Sequence, residues 1–316
     1  MGTYIARRVL LMLPAMLGIS IAVFLLLRLI PGNVVDTMIG SDLSLSPETR
    51  ANLERTFGLD KPIYVQYLSW MADVVRGDLG RSLRTNEPVV SILLVRLPIT
   101  TELAALSLVV AVALALPLGV VSAVRRNSRL DFLARIIGLV GLSIPNFWLA
   151  TMLILVASLW FRWLPPIIFV GLTQNPLDNL QQMLNPTVAL AMPLMAVTMR
   201  MTRSAMLEVL RQDYVRTARA KGVRETAVTY GHALANALIP IITIIGIQMG
   251  YLLGGAVIIE QIFGLPGLGW MILNGIFQRD YPVVQGGILF VAVVFLVLNL
   301  LVDVVYALVD PRIKYS

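Results

Sequence analysis

The sequence predicts an all-α integral membrane protein with six transmembrane helices, and three observations carry that prediction. Hydrophobic residues make up 58% of the 316 and charged residues only 14%, too little polar surface to cover a soluble globule. Six apolar runs each reach about 20 residues, enough for a helix to cross the hydrocarbon with its backbone polar groups satisfied internally. The basic residues fall in short clusters between those runs, where topology-setting charges are found. The lipid bilayer is therefore the first partner expected, in keeping with a mean hydropathy of +0.82.

The same composition excludes other classes. A net charge of +7 would suggest nucleic acid on a soluble chain, but here it marks sidedness and no nucleic-acid partner is expected. The chain has no Cys, so it forms no disulfide, thiol nucleophile or thiolate metal site. His232 is the single His, and no metal site is expected. It falls at the edge of a span, where a structural or interfacial role outweighs a proton relay.

The first run, Val9 to Ile30, follows Arg7 and Arg8 and is too long for a cleaved signal sequence, so it is expected to stay as helix 1. Arg28 near its far end is expected to snorkel to the headgroups. The stretch 31–98 then reads as an external helical segment. Ser46 and Pro47 resemble an N-cap with proline at the first helical position, and Gly58 ends that helix. Ile63, Tyr67, Trp70 or Met71, and Val74 recur at helical spacing, and a third helix is expected from Pro88 toward Arg96. These pieces form a helical cap, serving either as an ordered connector or as a lid or docking surface.

The remaining spans are Leu103 to Val124, Leu133 to Phe161, Thr187 to Met206, Ala237 to Ile259 and Val283 to Val309. Arg125, Arg126, Arg129 and Arg135 flank the second connection, and a larger group from Arg200 to Arg224 fills the fourth. Arg312 and Lys314 lie in the tail, whereas Arg162 and Arg279 stand alone in their connections. The positive-inside rule places both termini in the cytoplasm. The resulting divisions are 1–30 for the tail and first helix, 31–98 for the external segment, 99–309 for the other spans, and 310–316 for the cytoplasmic tail.

The internal stretch 207–236 is the longest polar segment on that side. Val215, Ala218 and Val223 offer an apolar face, while Arg216, Arg219 and Lys221 point away. Gly222 interrupts the helical pattern and permits either a turn or close approach to another backbone. A short helix lying across the end of a bundle is suited to be gripped by a soluble partner; alternatively, its charges only fix topology.

This stretch carries a family resemblance. QDYVRTARAKG at Gln212 to Gly222 and HALANALIP at His232 to Pro240 resemble the cytoplasmic loop of permease subunits of binding-protein-dependent ABC importers. The match is to the dipeptide/oligopeptide permease family, first-permease type. The superfamily loop reads Glu-Ala-Ala, three residues, Gly, nine residues, Ile, one residue, Leu-Pro. Ala218 and Gly222 match its second Ala and its Gly, and Leu234 its Leu. Arg216, Thr217, His232 and Ala235 depart from it in the manner of the peptide-permease branch. YIARRVLLMLPAMLGISIAVFLLLRLIPG at Tyr4 to Gly32 is similar to the family's opening helix, though Asn33 replaces a common Asp. FGLDKPIYVQYLSWMADVVRGDLGRSL from Phe57, RLPITTEL from Arg96 and GGAVIIEQIFGLPGLGW from Gly254 also resemble it, so the likeness runs along nearly the whole chain.

The resemblance implies a type I ABC importer permease fold in a prokaryotic cytoplasmic membrane. It implies a homologous second permease, two ATP-binding subunits and an external solute-binding protein as partners. It assigns ATPase coupling to the loop 211–236, with Asp213, Tyr214, Arg216, Thr217, Ala218, Arg219, Lys221, Gly222 and Leu234 as its site residues. The implied cargo is dipeptides or oligopeptides, with oligosaccharides, glutathione or nickel chelates as the alternative in close relatives. No Walker A sequence occurs in the chain, so it is not expected to be an enzyme or to bind a cofactor itself. ATP and Mg belong to the partner subunits.

Several span residues remain open to two readings. Glu260 and Asp303, ionisable groups in or near spans, either line a path or gate or form structural pairs. Glu102 is expected only to anchor its helix. Gly246, Gly250 and Gly254, spaced by four, make a smooth stripe that is a pore wall, a contact with the second permease, or tight packing within the subunit. Pro117, Pro145, Pro193 and Pro240 predict kinks. A secondary transporter or channel is the rival class, but the sequence offers no inverted repeat and no filter segment.

Overall fold

The computed structural model describes residues 2–29, 60–166 and 168–309, and among these the regular structure is helical apart from one isolated bridge between Arg81 and Pro88. The chain divides into two compact units, Met1–Pro98 with Gly267–Leu296, and Ile99–Pro266 with Val297–Ser316.

The first unit begins with α1, Gly2–Leu29. The expected helix between Ser46 and Gly58 lies outside the described residues. The next expected helix is present as α2, Ile63–Val75, started by Pro62. It joins α1 through an aromatic cluster: Phe24 lies edge-on to Tyr67 at 5.3 Å and stacks on Trp70 at 5.8 Å. The Ser20 and Tyr67 hydroxyls share a 2.9 Å hydrogen bond. Arg28 finds partners within the protein. Its guanidinium donates twice to Gln66 Oε1, at 2.8 and 3.1 Å, and lies 3.5 Å over the Phe24 ring, so α2 supplies part of its hydrogen bonding.

Residues 76–88 lead into α3, Val89–Val124. This corrects two expectations, because the third external helix and the second span are one helix of 36 residues. Pro98 and Pro117 fall within it; membrane helices tolerate proline where neighbouring groups take up the freed carbonyls. Later in the chain, α10, Leu268–Phe277, and α11, Tyr281–Val309, complete the set of helices. Val89 and Leu93 pack with Leu268, Met271 and Val283, and Val284 packs with Val23 and Leu27. Buried Asp280, just before α11, accepts hydrogen bonds from the Ser82 hydroxyl at 2.5 Å and the Leu83 amide at 3.1 Å. The loop ahead of α3 is thereby pinned to the start of the last helix.

In the second unit, the third span expected as one helix is two: α4, Arg129–Ser143, and α5, Asn146–Phe161, meeting at 103°. Pro145 explains the break. It disfavours the helical region for Ile144, which is extended at ψ 121°, and it lacks an amide hydrogen. The fourth expected span is the middle of a longer helix, α6, Pro176–Val209, whose Asn175 side chain accepts from the Leu177 and Asp178 amides. Proline at the first position and Asn before it are the favoured start.

Helix α6 packs against α4 and α5 and buries Met183, Leu190, Leu194, Met195 and Met199. Four helical stretches are long and apolar enough to cross a membrane, Arg8–Leu29, Val89–Val124, Glu225–Leu252 and Tyr281–Val302, or up to six if each of two bent pairs is one span. α6 is not among them, although it is 34 residues long, about 51 Å. Its buried Asn179, Gln182 and Asn185 face protein, and a helix wrapped by its neighbours needs less apolar surface than one facing lipid.

After α6 comes α7, Asp213–Ala220, and then a continuous helix in three pieces. These are α8, Glu225–Ala227, a π-helical stretch, Val228–Leu234, and α9, Ala235–Phe263. The fifth helix thus begins well before Ala237, and most of the polar stretch 207–236 is folded. α9 packs on α6 and α5, and the Gln248 amide donates to the Thr198 hydroxyl at 2.9 Å between α9 and α6.

Candidate functional site

Helix α7 is an eight-residue amphipathic segment held between two long helices. Val215 is fully buried and Ala218 and Val223 are half-buried, so the apolar face turns inward. Asp213, Tyr214, Arg216, Thr217, Arg219 and Lys221 are all exposed. The Thr217 hydroxyl donates to the Asp213 carbonyl at 3.0 Å, and Arg216 pairs with Asp213 at 3.4 Å. Both members of that pair are solvated, and such pairs contribute little.

The end of α7 is fixed by backbone geometry. Gly222 has φ +77°, its amide donates to the Arg219 carbonyl at 3.0 Å, and the Val223 amide reaches the Ala218 carbonyl at 3.2 Å. This is the two-bond termination that requires a left-handed residue, a role glycine fills without strain. A Cβ on Gly222 would meet nothing within 4 Å. Of the two readings of this glycine, the subunit itself displays the turn.

Beyond the turn, Arg219 forks onto Glu225, with Nη2 at 2.6 Å and Nε at 3.1 Å from the two carboxylate oxygens. The carboxylate holds the Arg219 guanidinium protonated above its ordinary range. α7 is thus tied to α8 across the glycine turn. Leu234 lies apart from the exposed set, half-buried in the π-helical stretch, packed against a cluster formed by Val120, Ala123, Ala205, Met206, Ala233 and Ala237. His232 is exposed, and its carbonyl accepts from the Asn236 side chain at 2.7 Å.

Sequence reasoning missed a buried charge cluster near this site. Asp131 on α4 is fully buried. It accepts from Arg203 of α6 at 2.8 and 3.1 Å, from the Ser122 hydroxyl of α3 at 2.6 Å and from the Asn127 amide at 2.9 Å. Its own amide is capped by Ser128. The sequence held a signal, since Ser128 followed three residues later by Asp131 is a helix-start pattern. Arg203 falls within the basic group from Arg200 to Arg224, where its sequence context indicates only sidedness.

The span residues scatter. Glu260 is fully buried and accepts from the Thr100 hydroxyl at 2.6 Å. Asp303 lies on α11, and its side chain is outside the described residues. A Cβ on Gly246 would collide with Val302, whereas Gly254 has open space around it. Gly250 is half-buried. The stripe therefore does not meet one neighbour. Glu102 is half-buried, with Oε1 unpartnered. Among the described residues no group of three His, Cys, Asp or Glu is placed to hold a metal.

Comparison with known proteins agrees along the whole chain. The family described as "Binding-protein-dependent transport system inner membrane component" matches residues 115–315, and its N-terminal companion matches residues 1–104. The dipeptide transport system permease protein DppB of Alkalihalophilus pseudofirmus is 43% identical over all of both chains. The oligopeptide transport system permease protein AppB of Bacillus subtilis is 42% identical, again over all of both. DppB of Escherichia coli is 40% identical over 99% of each. A crystal structure of an amino acid ABC transporter superposes with a TM-score of 0.53 at 16% identity, covering 71% of this chain and 95% of that one, which bears on the fold alone. With one family covering its last two thirds and full-length relatives above 40% identity, the chain belongs to the inner membrane components of binding-protein-dependent transport systems, as a permease subunit of an ABC importer.

Proposed function

We propose that this permease moves dipeptides or oligopeptides delivered by an external solute-binding protein, and that α7 couples it to separate ATP-binding subunits. The observation that carries the coupling reading is the build of α7, a short helix with one buried face, an exposed polar face and both ends fixed. Val215 seats it and the Gly222 turn ends it. The Arg219–Glu225 fork joins it to the helix that becomes α9. A push on Tyr214, Arg216, Thr217 and Lys221 is then passed to α6 on one side and α9 on the other, because the connections are too short to absorb it. Packed helices respond by switching between discrete arrangements.

The peptide cargo is supported by relatives that match over the full length and are dipeptide, oligopeptide and di/tripeptide transport system permeases. In this reading a second homologous permease lies alongside, both termini are cytoplasmic, and ATP and Mg are bound by the partner subunits. ATP hydrolysis happens there, since this chain carries no Walker A sequence. The test is uptake of a labelled dipeptide by proteoliposomes holding the whole complex, with its binding protein and ATP supplied. ATP-dependent uptake that a non-hydrolysable analogue abolishes is expected. Uptake of a sugar or a metal chelate but of no peptide would overturn the cargo assignment.

A further inference from the structure

Two arginines lie one turn apart on α6 and are treated in opposite ways. Arg203 is neutralised by buried Asp131. Arg200 is exposed and has neither a hydrogen-bond nor an ion-pair partner among the described residues. Its stem passes close to Gly138 of α4. Together with Val197, Met201, Ser204 and Ile244 of α9 it lines a groove of about 330 Å³. Ile244 belongs to the stretch Glu225–Leu252, which is long and apolar enough to cross a membrane, so the groove borders a candidate span. Arg200 itself is nine residues, about 14 Å, before the end of α6 at Val209.

Beside such a span an unneutralised guanidinium is costly unless it faces a cavity that an anion can enter. Every other wall residue except Ser204 is apolar, so the groove fits a small molecule with one anionic end and uncharged bulk. A free peptide has such an end in its terminal carboxylate, which matches the planar guanidinium fork in a bidentate pair. A lipid phosphate would be expected nearer the end of α6 than Arg200, which lies about a quarter of the way along the helix from that end.

We infer that Arg200 and the groove between α6 and α9 form a subsite for the terminal carboxylate of the transported peptide. This deepens the peptide reading above and rests on it. The subsite need hold its ligand only weakly, since a single charge pair with apolar walls grips no particular side chain, as suits cargo of varied sequence.

The test uses the complete transporter in proteoliposomes with its binding protein. One peptide is supplied either as the free acid or as the C-terminal amide, each at a concentration that saturates the binding protein. The wild type is expected to favour the acid, and Arg200→Gln to shrink the acid-to-amide uptake ratio by roughly tenfold, the loss of one charge-assisted pair. Arg200→Lys, which keeps the charge but not the fork, should restore part of the ratio. A ratio unchanged in Arg200→Gln, or acid and amide uptake falling equally, would overturn the inference. So would an Arg200→Gln effect that vanishes in phosphatidylcholine vesicles lacking anionic lipid, because the anion would then be a headgroup. A wild-type complex that takes up neither peptide would remove the peptide reading and the subsite with it, an outcome distinct from loss of the ratio alone.

Discussion

Gly222 and Asp131 show how much a single position can decide. At Gly222 the left-handed turn leaves room for a side chain but not for its backbone preference. Gly222→Val should therefore cost about 1–2 kcal/mol locally, letting α7 swing while the protein still inserts. Peptide-stimulated ATPase activity of the assembled complex should fall, and Gly222→Asn, which tolerates positive φ, should keep most of it. Full stimulation in the valine variant would sink the coupling role of the turn. Asp131 works through burial instead. Asp131→Leu leaves Arg203 without its carboxylate and should destabilise the subunit by about 3–5 kcal/mol, whereas pairing it with Arg203→Met should recover much of that loss. Thermal unfolding of the detergent-solubilised chain measures both, and a double variant no more stable than the single would contradict the pairing account.

Among the helices, α9 carries its small residues for more than one purpose. A Cβ on Gly246 runs into Val302 of α11, while one on Gly254 meets open space. Gly246→Ala should destabilise the subunit by about 1–3 kcal/mol, despite alanine's better helix propensity, and Val302→Ala should relieve it. Gly254→Ala should leave the isolated subunit as stable or slightly more so. If Gly254→Ala nevertheless weakens co-purification with the second permease, that end of the stripe is an intersubunit surface; unchanged co-purification would remove that reading. α4 and α5 show the converse case, where the kink expected at Pro145 is a full break into two helices at 103°. Periodicity and hydropathy read both halves as one apolar run, and Pro145 marks where the bend falls but not how large it is.

For the whole molecule, the assignment of sides is the prediction that reaches furthest. A reagent that cannot cross the membrane should modify a cysteine placed at exposed Arg84 from outside intact cells, and one placed at exposed Arg216 only after the membrane is opened. Labelling in the reverse sense would overturn the topology and, with it, the access of ATP-binding subunits to α7. Both positions lie on exposed segments, and the chain has no native cysteine to confuse the result.

The helical membrane class, the family and the start and stop of α7 were legible in the residues. Hydrophobic run length, Gln212 to Gly222 and the glycine after a short amphipathic helix are local signals, and local physics reads them. α2 was found within a residue for the same reason, its apolar positions recurring at the helical period. The π-helical stretch around His232, the fusion of residues 89–124 into one helix, and the central place of α6 in its unit were not legible. Each depends on which neighbour covers a surface rather than on the surface itself. Arg28 and Arg200 make the point from opposite sides. In sequence both are arginines in apolar stretches; folding gives one a glutamine and an aromatic ring and leaves the other facing a groove. Composition and spacing settle what a segment is, but an unpaired charge and a shared wall exist only once distant segments have met, because both are relations between residues far apart in the chain.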